Sequence, residues 1–347
     1  MINYENSIVQ EDLMFLISSE VDFKELKNTT ILVTGATGML ASYCCFLLFY
    51  LNETQNYGIN IILLARKEEK LKKVYGDLLN KAEVILQDVC MPIAYAGKID
   101  YIIHAAGAAS PYFIKNDPVG IIRANTEGTR NVLELSRNTQ NCKVVFLSTR
   151  EIYGEVEGVD KISEENMGVL DPLDARSCYP ESKRLAEALL KAYATQFTIS
   201  FNTLRIAHSY GPGMQIDHDG RVMSDFIKDA VNQRDIVLKS TGEMERAFCY
   251  ISDAVSAIFK VLILGENRTA YNIANELEPV KVKELAAKIL VLTGSEKAIE
   301  FDLPTDKSGY TTYKRIPLDT TRVEKLGWKP QVSLDIGLSK TINSFHE

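Results

Sequence analysis

The chain lacks an excess of positive charge. Its 39 Lys+Arg are outnumbered by 46 Asp+Glu, for a formal charge of −7. A global basic field for nucleic acid is therefore absent, and anionic ligands must be held by local devices. It also lacks cysteine in metal-ligating order. The six Cys (44, 45, 90, 142, 178 and 249) form no CxxC or Cys/His spacing, so no structural metal site is expected. Most lie in apolar runs and read as small buried hydrophobes of a reducing compartment. No apolar run is long enough to span a bilayer; the most apolar, Tyr43 to Leu51, reads as a buried helix. The first 30 residues are acidic and show no secretory n-region, so a cytoplasmic protein is expected. Internal repeats and low-complexity segments are absent too.

What is present is a strand–helix alternation across 347 residues, enough for a large core and two lobes. Residues 1–28 read as a helical preface, with Glu11 to Ile17 acidic and amphipathic. Thr30-Ile31-Leu32-Val33 is a buried strand, and Thr34-Gly35-Ala36-Thr37-Gly38-Met39-Leu40-Ala41 turns from it into an apolar helix. Glycines there let the backbone approach a pyrophosphate at the helix N-terminus, with Ala41 in place of a third glycine.

A second strand ends in Ala65-Arg66-Lys67, where an acid would suit the ribose hydroxyl of NAD. Arg66 suits a 2′-phosphate instead and favours NADP(H) over NAD(H). A third strand, 82–88, ends at Asp88-Val89, placed to contact the adenine. The fourth, from Tyr101, ends in Ala105-Ala106-Gly107, small residues that permit close passage of a dinucleotide. His104 within it reads as a packed core histidine. Asn125 to Thr129 reads as a helix opening, Val144 to Ser148 as a fifth strand and Ile199 to Ile206 as a sixth.

These alternating elements predict an α/β fold, a Rossmann-like doubly wound parallel sheet with a smaller C-terminal substrate-binding lobe. The boundaries fall at 1–28 for the extension, 29–206 for the dinucleotide-binding domain and 207–347 mainly for the lobe. Some strands and helices of the last segment return to the first domain. The tail from Lys281 reads as helices with a turn at Gly327-Trp328-Lys329-Pro330. Ligands bind such sheets at the carboxyl ends of the strands, where the glycine turn, Arg66, Asp88, Gly107, Thr149 and Glu151 all fall.

Tyr179 and Lys183 stand four apart at the start of a helical run, so phenol and ammonium share one face. A neighbouring cation favours the phenolate, and a lowered phenol pKa is expected. Such a pair can take a proton from an alcohol while a hydride leaves the carbon. Arg221 and Arg246, in an acidic chain, are candidates to clamp a ligand diphosphate.

Together these motifs resemble the extended short-chain dehydrogenase/reductases, the NAD-dependent epimerase/dehydratase family of nucleotide-sugar enzymes. The likeness runs from about residue 29 to the end. It is carried by Thr34 to Gly38, His104-Ala105-Ala106, Asn125 to Thr129, Ser148-Thr149, Tyr179-x-x-x-Lys183, Arg205 to Pro212, Arg246-Ala247-Phe248 and Leu326 to Pro330. Within the family, Ala109-Ser110-Pro111, Ser148 to Gly154 and Asp219 to Val222 are similar to stretches of UDP-glucuronate decarboxylases.

The resemblance implies a catalytic triad of Thr149, Tyr179 and Lys183, with Glu151 as an extra acid/base beside the sugar. It implies a cofactor site that includes Asn125, substrate contacts from Ser110, Arg150, His208, Arg221 and Arg246, and a homodimer through helices near residues 125 and 183. Arg150 replaces the serine of the decarboxylase pattern and the aspartate of the 4,6-dehydratases, and His208 replaces asparagine. An arginine cannot protonate a departing 6-hydroxyl, which disfavours 4,6-dehydration. The implied function is NAD(P)-dependent modification of a nucleotide-diphosphate sugar by hydride transfer at a sugar carbon, C4. The alternative is a net NADPH-dependent reduction of a nucleotide-linked keto sugar. A non-catalytic nucleotide-binding regulator is the third, which the intact Thr149, Tyr179 and Lys183 argue against.

Overall fold

The structure, a computed structural model, describes residues 2–19, 21–139, 141–217, 219–303 and 315–346. Six strands run through its first part, with helices between all but the third and fourth: β1 (Thr30–Thr34), β2 (Asn60–Ala65), β3 (Glu83–Leu86), β4 (Tyr101–His104), β5 (Lys143–Thr149) and β6 (Ser200–Ile206). A later strand, Thr269–Ile273, returns beside β6. The sheet order is Thr269–Ile273, β6, β5, β4, β1, β2, β3, and every pairing is parallel. Strand order reverses between β1 and β4, which is where a crevice opens in doubly wound sheets.

The strands are apolar throughout because both faces of the sheet are covered. Side chains alternate between faces. Ile31, Val33, Val145 and Leu147 join the core under α1 (Ser7–Ser18), α2 (Met39–Gln55) and a later helix, Ile251–Leu264. Leu32, Val144 and Phe146 join the core on the opposite face. Pro111–Asn116 forms α4, after the short α3 (Glu68–Tyr75). That second face is roofed by α5 (Pro118–Arg137) and α6 (Cys178–Phe197), through Val132, Ala186, Leu190 and Ala194.

The apolar run at Tyr43 to Leu51 is the buried body of α2, as expected. Asn125 does not open a helix. It lies inside α5, whose start is set by the Asp117 carboxylate capping Gly120 N at 3.1 Å and by Pro118 in the first turn. The tail is helical at Val282–Leu292, Thr321–Glu324 and Leu334–Asn343, but Ile299–Phe301 pairs as a strand with Ile236–Leu238. Trp328 of the expected turn donates its indole N–H to Ser256 Oγ at 2.9 Å, docking the turn on Ile251–Leu264. Four of the six cysteines are buried and none is bonded to another. Among the described residues no helix is long and apolar enough to cross a membrane.

The extension packs on its own chain. Asp12, 1% exposed, accepts hydrogen bonds from Tyr250 at 2.8 Å and Tyr43 at 3.3 Å, and from Lys340 Nζ at 2.8 Å. One carboxylate thus ties α1 to α2, to the segment before Ile251 and to the last helix. Replacing Asp12 with Ala should cost about 2–3 kcal/mol, since two buried phenols lose their acceptor and Lys340 keeps only Glu11, at 3.3 Å. Chemical denaturation reads this as a lowered midpoint; a midpoint equal to wild type would show that the hub contributes nothing.

Candidate active site

The β1–α2 turn lies against the end of β4. Gly35 adopts φ 65°, and a Cβ there would sit 2.8 Å from Ala106 Cα, so the position accepts only glycine. The turn thereby sets Gly35 against Ala105 and Ala106, with the Gly38 N–H donating to the Gly35 carbonyl at 2.8 Å and Thr37 between them in the chain. Gly38 caps α2 with no side-chain partner, leaving the first N–H groups, from Met39 and Leu40 onward, open to an anion. Ala41 is 1% exposed, so a small residue is all that fits where a third glycine would stand. At the next strand ends, Arg66 and Asp88 face one another at 3.7 Å, with the Arg66 side chain 71% exposed. Val89 is buried under α5, its carbonyl accepting from Asn131 Nδ2 at 2.9 Å.

The other side of the β1/β4 crevice gathers polar groups. Gly107 has φ 147°, and a Cβ on it would meet Asn125 Oδ1 at 2.8 Å and Lys183 Nζ at 3.8 Å. Asn125 is fully buried and donates to Ser182 Oγ at 2.9 Å, while its Oδ1 has no hydrogen-bond partner. A buried acceptor left unpaired is costly. With the cradle at Gly35 and the open α2 N-terminus, it fits a dinucleotide laid across the strand ends.

Thr149 ends β5 and hydrogen-bonds Tyr179. Both are buried, at 7% exposure each. Lys183 donates to Leu147 O at 2.8 Å with the Phe146 ring centre 4.4 Å away. The expected lowering of the phenol is not found. Burial pushes Tyr179 up to about 12, only partly opposed by the Thr149 hydrogen bond. Burial likewise pulls Lys183 down to about 7, with Glu187 opposing. Desolvation of both groups outweighs their attraction when nothing else occupies the crevice. His104 is the packed histidine expected: its ring bonds Thr34 at 2.8 Å and Thr129 at 3.0 Å, and burial takes it down to about 3.

Beyond Thr149 opens a cleft lined by Arg150, Glu151, His208, Arg246 and Arg315 among others. Glu151 is paired with Arg176 at 3.0 Å. His208 has φ 39°, a left-handed conformation that His and Asn adopt more readily than most residues. Burial, with Arg150, Arg246 and Arg315 around it, holds its imidazole well below the ordinary range. Arg221 does not line this cleft; it pairs with Asp219 at 2.6 Å, beside the Ser110–Pro111 corner. Ser110 Oγ is buried there without a hydrogen-bond partner.

Two contributors escaped the sequence reading. Arg176 carried a signal, three residues before Tyr179 in the turn that opens α6. Arg315 carried none: it is far along the chain, and only folding brings it to His208. Among the described residues no group of His, Cys, Asp or Glu is gathered that could hold a metal ion.

A profile of the NAD dependent epimerase/dehydratase family matches residues 31–274. A UDP-glucuronic acid decarboxylase 6 of Arabidopsis thaliana is 34% identical over 313 residues, 90% of this chain and 87% of its own. A UDP-glucuronic acid decarboxylase 1 of Xenopus tropicalis is 31% identical over 99% of this chain and 77% of its own. In fold, a UDP-glucose 4-epimerase of Thermotoga maritima, solved with UDP-glucose, superposes with TM-score 0.78 at 24% identity, covering 92% of this chain and 99% of its own. A dTDP-glucose 4,6-dehydratase of Bacillus anthracis, solved with NAD, gives 0.73 at 20%, covering 92% and 96%. The chain belongs to the NAD-dependent epimerase/dehydratase family and is an enzyme of it.

The buried Lys183 has a measurable consequence in the cofactor-free protein. Its ordinary value of 10.5 falls to about 7 on folding. Below 7 both states hold the proton, and the fold bears the full cost of a buried ammonium. From 7 to 10.5 only the unfolded chain holds it, so this group's contribution to stability rises with pH. Lys183→Met should therefore stabilise the protein more at pH 6 than at pH 9.5, by urea denaturation. A gap independent of pH would contradict the buried, depressed lysine.

Proposed function

We propose that the chain transfers a hydride at a carbon, C4, of a nucleotide-diphosphate sugar, with Tyr179 as the acid/base. The observation that carries this is the gathering of Thr149, Tyr179, Lys183, Asn125 and Gly107 at the β4 and β5 ends, beside a cationic cleft. A nicotinamide dinucleotide supplies the hydride acceptor and donor when bound. Gly35 to Leu40 would hold its pyrophosphate, Asp88 and Val89 its adenine, and Ala105 to Gly107 with Asn125 and Lys183 its nicotinamide half. Residues 29–206 form this side of the site and 207–347 mainly the sugar side, with 1–28 as extension.

The proton steps belong to the protein. Thr149 donates a hydrogen bond to the reacting oxygen and positions it against the phenol. Tyr179 removes the hydroxyl proton on oxidation and returns one on reduction. Its raised value demands help, and Lys183 supplies it: an ammonium near the phenolate favours ionisation once the crevice is filled. A 4-keto group acidifies C5 and makes a C6 carboxylate a β-keto acid. Glu151, held by Arg176, is placed to exchange a proton in that rearrangement. The relatives' names supply the first net reaction to try, decarboxylation of UDP-glucuronate.

Arg66, exposed at the end of β2, supports NADP(H) over NAD(H). The same residue supports the second reading, a net NADPH-dependent reduction of a keto sugar. We also place a dimer contact on α5 and α6, where Ile122 and Leu185 are exposed, and expect a cytoplasmic enzyme without nucleic-acid or membrane partners.

Tyr179→Phe should lower kcat by roughly 10²–10⁴-fold, the range for losing a general acid/base, while dinucleotide binding persists. Retained turnover would overturn the assignment. Arg66→Asp should weaken NADP(H) binding relative to NAD(H) by about tenfold or more, read by fluorescence titration; an unchanged ratio would remove Arg66 from the site. Turnover without added cofactor supports the redox-neutral cycle, and stoichiometric loss of added NADPH supports reduction.

A further inference from the structure

The turn between β1 and α2 owes its shape to Gly35, but one of its peptides is held from outside the turn. The Gly35 carbonyl accepts from Gly38 N–H, and Ala36 N–H donates to the Leu64 carbonyl at 3.2 Å. The Ala36 carbonyl accepts from the Tyr75 hydroxyl at 2.5 Å. Tyr75 is the last residue of α3, on the face that buries Leu71 and Val74. Its ring packs on α2, edge-on to Phe46 at 5.6 Å and with Phe49 6.1 Å away. Ala36 is fully buried, whereas Gly38 is exposed and Gly35 and Thr37 are partly open. The turn thus dips into the core at the residue that meets the phenol.

We propose that Tyr75 is a positioning residue for the dinucleotide: its hydroxyl orients the Ala36–Thr37 peptide so that the Thr37 N–H faces the crevice and takes a pyrophosphate oxygen. This rests on the dinucleotide reading of the crevice and adds to it a residue 39 positions beyond Ala36.

Peptide planarity links the two groups. The C=O and N–H of one trans peptide point in opposite directions. With the Ala36 carbonyl drawn inward to the phenol, the Thr37 N–H is directed outward, on the side where the first N–H groups of α2 are open. A donor oriented before its ligand arrives loses little freedom on binding. Without the hydroxyl, the buried carbonyl would lack a donor, and rotating the peptide toward water would relieve it. The same rotation carries the Thr37 N–H inward, away from an anion. Burial holds the phenol well above its ordinary range, with the Cys45 thiol beside it adding to the effect, so the hydroxyl keeps its proton and remains a donor. One helix also spans two parts of the site. Arg66 lies just before α3, at the ribose position, and Tyr75 ends it. Arg66 bears on the ribose 2′ substituent, where NAD and NADP differ. Tyr75 bears on the pyrophosphate, which they share.

The experiment titrates the full chain, freed of nucleotide, with NAD+ and with NADP+. It compares wild type with Tyr75→Phe, which keeps the ring on α2 and removes the hydrogen bond. Tyr75→Phe should raise both Kd values by about three- to tenfold, the worth of one hydrogen bond, and by the same factor for each. Amide hydrogen exchange over residues 34–40, read by mass spectrometry at saturating dinucleotide, should be slowed in wild type and slowed less in the variant. Unchanged affinities, with or without a lowered melting temperature, would show that the carbonyl merely satisfies a buried phenol, and would overturn the proposal. A shifted NAD+/NADP+ ratio would overturn it too, by placing the effect at Arg66 through α3. So would weaker binding with wild-type protection of 34–40. Binding of neither dinucleotide to wild type would instead sink the dinucleotide reading, and the role of Tyr75 with it.

Discussion

Lys183 sets its ammonium beneath the floor of the crevice, 5% exposed, against one carbonyl and one aromatic ring. Taking a primary ammonium out of water is costly, and these two contacts repay only part of it. The remainder appears as a depressed lysine and, through the same dry surroundings, an elevated phenol. The two groups are thus coupled by the solvent they both lack more than by direct contact. Filling the crevice changes both at once, because a hydrogen-bonding ligand gives the ammonium acceptors and the phenol a partner. Asn125, whose Oδ1 is buried and unpaired 2.8 Å from where a Gly107 Cβ would stand, shows the same unmet demand.

Such a floor must be rigid, and a second buried network makes it so. Ser148 Oγ donates to Glu187 at 2.6 Å, and Arg205 pairs with Glu187 at 2.7 Å. Arg205 also donates to the Tyr153 hydroxyl at 3.0 Å and the Glu164 carbonyl at 2.8 Å. Tyr153 donates in turn to Asn272 of the returning strand at 2.5 Å. This chain of bonds joins β5, α6, β6 and Thr269–Ile273 directly under Thr149. Its members are satisfied, which is the condition for a buried polar network to add rigidity rather than strain. Glu187 is one helical turn from Lys183, so the brace and the catalytic face belong to the same helix.

The strands were legible because burial on both faces writes an unbroken apolar run, as at Ile61 to Leu64. The glycine turn was legible because Gly35 answers to backbone geometry that no other residue meets. Tyr179 and Lys183 were legible as a spacing. Their titration was not, because desolvation depends on what covers a group, and four residues of sequence say nothing of that. The start of α5 was missed where an Asp-Pro pair outranked the Asn-Thr-Glu pattern inside the helix. Arg315 was invisible for a different reason. It lies outside any motif and reaches the cleft only through the folding that puts Leu318 beside Ile162.

The turn after β5 sets neighbouring residues into quite different surroundings. Thr149 is the last residue of the strand, and residues Arg150–Tyr153 form a 3₁₀ turn. Side chains on such a turn fan out by roughly 120° each. Thr149 meets the phenol, Arg150 and Glu151 enter the cleft, Ile152 is fully buried and Tyr153 joins the brace. Gly154 ends the turn at φ 62°, where any Cβ would sit 2.3 Å from the Val169 carbonyl. The backbone of this turn is therefore fixed by Thr149 in the strand at one end and by Gly154 at the other. Position 150 can change from one side chain to another without moving Thr149, because neither end of the turn depends on it. Identity at 150 can then vary while the threonine, the phenol and the buried lysine keep their places.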